Sequence, residues 1–170
     1  MRRLRDATFW SALLIVLVTI YLMVATYLRW IRLHFTVDLF LASFYLHHWF
    51  GLIGTLFIAL FIPTYYILKR RYAKRFRTLL KLHVFGNLLA FLLVSIHFAQ
   101  QISRPPQFYP DLGTGIVLYP TMIILVVTGF FQRFQIAKRL GKSWRFIHIS
   151  MAVTFYMVIL IHILHGLEIL

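Results

Sequence analysis

Four histidines stand in two matched pairs along this chain. His83 and His97 are 14 residues apart, and so are His148 and His162. That interval is close to four turns of α-helix, so the members of a pair face the same way. They would lie about 21 Å apart along the axis at ~1.5 Å rise per residue. Two helices bearing such pairs can clamp two flat cofactors at different depths, each metal taking one imidazole from each helix. This is the ligation that a bis-histidine b-type haem requires.

Something must hold the two pairs in register, and the composition says what. Of 170 residues, 61% are apolar or aromatic, and the mean hydropathy is +0.82. A soluble domain of this size carries fewer long apolar runs. Five stretches are long enough to cross about 30 Å of hydrocarbon: Phe9–Tyr27, Trp49–Leu68, Leu79–Phe98, Ile116–Phe134 and Phe146–Leu167. They are expected to be helices, because an open strand leaves its backbone unsatisfied in lipid. The fold class expected is all-α, a bundle of five transmembrane helices forming one haem-binding domain over residues 1–170, with its core at about 45–170. The first stretch is too long for a signal peptide, and Ala25-Thr26 is a poor cleavage signal, so it reads as a retained helix.

The charge distribution gives an orientation. Fifteen Lys and Arg residues fall at the first end and in the second and fourth connections. Arg29, Arg32 and Arg104 alone occupy the opposite side, with Asp38, Asp111 and Glu168. The positive-inside rule places the N-terminus in the cytoplasm and, by the parity of five spans, the C-terminus outside. A prokaryotic plasma membrane is the expected location. The net charge of +14 then reflects topology and attraction to anionic membrane lipid, with no nucleic acid as partner. Cysteine is absent, which excludes thiolate zinc sites, iron–sulfur clusters and covalent c-type haem. No glycine-rich nucleotide fingerprint follows any strand, so no flavin or nicotinamide domain is expected in these residues.

His83 and His148 fall near the starts of the third and fifth spans, and His97 and His162 near their ends. Those spans run parallel, so the pairs match in depth as well as in spacing. His34 and His48 are also 14 apart, but a polar connection separates them. An intramembrane histidine also serves as a hydrogen-bonding partner between helices. Polar groups in hydrocarbon are costly and commonly functional, and only these four residues combine one helix, one face and matched depth. Gly86, three residues after His83, allows close approach of a porphyrin or a neighbouring helix. Lys81, Trp144 and Arg145 are candidates for the propionates of one haem, and Arg104, Gln100 and Gln101 for those of the other. Each serves equally as an interfacial anchor. His34, His47, His48 and His165 gather at one end, where they can bind a metal ion, shape an acceptor site or simply be wetted.

With these residues in place, the chain resembles the ferric reductase-like transmembrane family over roughly residues 45 to 170. The strongest local match is Leu140-Gly141-Lys142-Ser143-Trp144-Arg145-Phe146-Ile147-His148, a cytoplasmic turn entering a ligand helix. The resemblance implies His83, His97, His148 and His162 as ligands of two haem b groups. It also implies electron transfer from a cytoplasmic or quinol donor to an outer acceptor, with a redox protein or quinone as partner. Cytochrome b561-type proteins are a neighbouring resemblance. Two other functions are open: a non-catalytic membrane anchor of a larger complex, and a histidine-lined metal-binding membrane protein. The second would be expected to place carboxylates or broken helices near the midplane; no acidic residue lies inside a span, and only Pro63 and Pro120 interrupt them.

Overall fold

The computed structural model describes residues 7–33, 35–39, 42–107, 112–136 and 138–166. Five helices dominate it: α1 (Ala7–Tyr27), α2 (Leu46–Arg71), α3 (Phe76–Ile102), α4 (Gly115–Phe134) and α5 (Gly141–Gly166). All five are long and apolar enough to cross a membrane. Each contains most or all of the apolar stretch expected from sequence. Two of them, α2 and α3, extend several residues beyond it at both ends; at the end of α2 and the start of α3, Lys69, Arg70, Arg71 and Arg77 stay helical where their charges can reach water.

Large apolar side chains lie open along these helices. Leu60 is 68% exposed, Leu14 61% and Val153 62%. In water such a surface would aggregate; in a bilayer it is the lipid-facing side. Hydroxyl side chains inside the helices turn back onto their own backbone. Thr19 donates to the carbonyl of Ile15 at 2.8 Å, Thr55 to Gly51 at 2.7 Å, Ser95 to Phe91 at 2.6 Å and Thr121 to Val117 at 2.8 Å. Each hydroxyl proton is thus satisfied without water.

One element was not expected. Between α1 and α2 the chain forms a small antiparallel hairpin, β1 (Thr36–Leu39) with β2 (Ala42–Tyr45), in which Thr36 pairs with Tyr45 and Val37 with Phe44. The β-branched and aromatic residues at those paired positions suit strands. The hairpin is tied to α2 by the Trp49 indole, which donates to the Val37 carbonyl at 2.8 Å. Phe44 packs edge-on against the same indole at 5.4 Å.

The chain groups into two compact units. One is Leu13–Leu112, holding most of α1, the hairpin, α2 and α3; the other is Met1–Ala12 with Gly113–Leu170, holding α4 and α5. Within the first, α2 and α3 pack side by side; within the second, α4 and α5 do. Each pair is antiparallel, as the contacts at its two ends show.

Candidate functional site: four histidines on two helix pairs

His83 and His97 lie on α3, and His148 and His162 on α5. Each histidine is partly buried and each meets the helix that precedes its own. In the α2–α3 pair, His97 rests on Gly51. A Cβ added there would come within 2.7 Å of the imidazole, so the ring occupies the space a side chain would need. Fourteen residues further along α2, Tyr65 stacks on His83 with ring centroids 4.3 Å apart and planes 18° from parallel. In the α4–α5 pair, His148 rests on Gly129, where an added Cβ would lie 3.1 Å from Cε1. His162 approaches Gly115, at 3.6 Å.

The Nδ1 atom of all four rings is hydrogen-bonded to the chain. His97 donates from Nδ1 to the His47 carbonyl at 2.9 Å. Since a carbonyl only accepts, this bond puts the proton on Nδ1 and leaves Nε2 unprotonated, the form in which an imidazole nitrogen can ligate a metal. Thr128 Oγ1 lies 3.0 Å from His148 Nδ1. The Thr128 hydroxyl spends its single proton on the Ile124 carbonyl at 2.7 Å, so it accepts from the imidazole and sets the same tautomer. Thr114 Oγ1 lies 2.9 Å from His162 Nδ1. His83 differs: the Asn87 amide nitrogen sits 3.0 Å from its Nδ1 and donates at 2.7 Å to the His83 carbonyl. In that arrangement Nδ1 accepts and the proton resides on Nε2. Iron at Nε2 would require the Asn87 amide to turn its oxygen toward the ring.

Sequence reasoning missed the threonines and glycines, although a signal existed. Thr114-Gly115 and Thr128-Gly129 form a repeated dipeptide, also 14 residues apart, matched in reverse order to the two histidines of the antiparallel partner. Gly51 and Tyr65 repeat the interval on α2.

Of the other expected residues, Gly86 faces Phe57 of α2: an added Cβ would lie 2.7 Å from its Cζ. Approach to a neighbouring helix is therefore the role the structure shows for this glycine, since the phenyl ring fills the space above it. Lys81 and Arg145 are exposed. Trp144 packs edge-on against Phe131 at 5.1 Å. Its indole Nε1 is buried with no hydrogen-bond partner among the described residues, as are Gln132 Nε2 and Arg133 Nε. Trp144 precedes His148 by one helical turn, on the same face. Arg104 and Gln100 line a pocket in the first unit; Gln101 is outside it.

His47 and His48 join His97 in a small cluster, with ring centroids 4.3 to 6.1 Å apart. Among the described residues no group of three or more His, Asp or Glu side chains is arranged to hold a metal ion. His165 is exposed at the end of α5, and His34 lies outside the described residues. No family model, curated protein or solved structure matches this chain.

Proposed function

We propose that this protein carries electrons across a membrane through two b-type haems, as a cytochrome b-like redox subunit. His83, His97, His148 and His162 supply the axial nitrogens, paired by spacing as His83 with His148 and His97 with His162. The observation that carries this reading is the engagement of Nδ1 on all four rings by the chain itself. A haem-ligating imidazole binds iron through one nitrogen, and a hydrogen bond at the other fixes its orientation and basicity. At His97 and His148 the bond also selects the tautomer that iron needs. Histidines serving only to join helices have no need of an Nδ1 hydrogen bond on every ring at a common 14-residue interval.

Bound haem would supply a one-electron iron couple. The residues of the chain hold the rings, keep water from the ligands and fix the interval between the two levels. The orphaned Trp144 indole, one turn before His148, is a donor suited to a propionate oxygen. The same reading keeps the resemblance to ferric reductase-like membrane domains. It places the N-terminus and the heavily basic connections in the cytoplasm of a plasma membrane, with a quinol or a reductase protein as donor.

Vesicles reconstituted with the protein test the activity. With dithionite outside and ferricyanide trapped inside, the ferricyanide should be reduced only in vesicles that contain the protein. His97→Ala should abolish the reduction. Equal rates with the wild type, the variant and empty vesicles would reject the conduit and leave a membrane anchor.

A further inference from the structure

The three arginines that stand apart from the basic connections converge. Arg29, Arg32 and Arg104 line one pocket of about 440 Å³, together with Ile31, Gln100, Ser103 and Pro105. Arg104 is more than 70 residues from the other two in sequence, so the fold has brought like charges together. Among the described residues no carboxylate lines the pocket. Arg29 and Arg32 are exposed and Arg104 half-buried, so water screens part of their mutual repulsion, and an anion seated among them would offset the rest.

The bland account is that arginines favour the carbonyl ends of helices. It is true of part of the cluster. α1 ends at Tyr27 and α3 at Ile102, and Arg29 donates to the Ser103 carbonyl at 2.6 Å. Each helix end carries roughly half a negative charge, so two ends offset about one of three cations. About two positive charges remain. Other features of the pocket look built. Arg29 adopts a left-handed backbone, φ +61°, a conformation uncommon for a residue with a Cβ. Its side chain is then pinned by the Ser103 bond. Gln100 is only 4% exposed, and its amide holds the Ile31 carbonyl at 3.5 Å, bracing the segment that bears Arg29 and Arg32.

The geometry points to a binding site for a phosphate-bearing anion, seated by the Arg29, Arg32 and Arg104 guanidiniums. Guanidinium forks match phosphate oxygens in pairs. The pocket lies where two membrane-length helices end, at the depth of lipid headgroups, and Trp30 beside it is 70% exposed, as an interfacial anchor would be. The apolar flanks given by Ile31 and Pro105 suit an amphiphile, so an anionic phospholipid is one source of the phosphate and free phosphate the other. A net charge of about +2 favours phosphatidylglycerol over phosphatidylcholine, whose choline carries a compensating cation.

Native mass spectrometry of the full chain in detergent tests this, with phosphatidylglycerol, phosphatidylcholine or inorganic phosphate as probe. The wild type should retain one phosphatidylglycerol where phosphatidylcholine is lost. Binding should weaken about fivefold for each arginine removed, hence roughly 25-fold in R32A/R104A, while R70A/R71A at the far end of α2 binds as the wild type. R32K/R104K keeps the charge without the forks and should bind more weakly than wild type, which serves if the alanine variant does not fold. Displacement of the lipid by millimolar phosphate assigns the site to the free anion; resistance to it assigns the site to the headgroup, and either supports a phosphate site. Undiminished lipid retention in both arginine variants overturns the proposal. So does a variant that loses haem absorbance yet keeps its lipid, since the guanidiniums would then serve a carboxylate of the cofactor.

Discussion

In α4–α5 both histidines rest on Thr-Gly dipeptides of the facing helix, whereas in α2–α3 only His97 rests on a glycine. Its counterpart His83 lies against the Tyr65 ring and takes its Nδ1 bond from Asn87, one turn along its own helix. The two pairs thus hold an imidazole in two ways. A glycine lets the facing backbone approach and a carbonyl or hydroxyl fixes the proton. A tyrosine holds the ring by its face, while a neighbouring amide engages the nitrogen from the same helix. His97 and His148 carry the Nδ1 proton that the proposed ligation needs; the Thr114 hydroxyl can donate to or accept from His162, and His83 needs an amide rotation.

The largest effect expected is the loss of a whole cofactor. His97→Ala and His162→Ala should each reduce haem from about two to about one per chain, and with the same remaining spectrum, if the proposed pairing assigns both to one haem. His83→Ala and His148→Ala should remove the other. If His97→Ala and His162→Ala leave different spectra, the pairing is wrong.

Next comes the Nδ1 partner, where the two helix pairs should diverge. Thr128→Val keeps the shape but removes the acceptor for His148, and haem affinity should fall about tenfold. Asn87→Leu removes an amide that opposes the ligand tautomer of His83, so affinity should stay within about threefold of the wild type. Haem transfer to apomyoglobin measures both; equal losses would mean that the two anchors act alike.

The smallest effects grade the glycines. Gly51→Ala forces a methyl to within 2.7 Å of the His97 ring, and overpacking of this kind costs about 1–3 kcal/mol. Gly129→Ala, at 3.1 Å, should cost less, and Gly115→Ala, at 3.6 Å, about nothing. Thermal unfolding in detergent should order the midpoints in that sequence. Any other order would show that the helices shift freely around the rings.

The five helices were legible because lipid demands some 20 apolar residues in a row, and runs such as Leu79–Phe98 permit little else. The four histidines were legible because, unlike that of His34 and His48, their 14-residue interval falls within single apolar spans at matched depth. Their supports were not. Thr114, Thr128 and Gly51 are ordinary residues of apolar helices until the facing helix and its register are known. The hairpin escaped because strands of four residues, Thr36–Leu39 and Ala42–Tyr45, carry too short an alternation to stand out. The arginine pocket escaped because its members meet only through the fold, Arg104 arriving from the end of α3.

Haem stoichiometry of the purified protein, by pyridine haemochrome and reduced-minus-oxidised absorption, tests the central claim most directly. About two b-type haems per chain is the result expected of four histidines held by Nδ1. Protein expressed with ample haem and isolated without any would contradict the account, and the four rings would then be joints between helices.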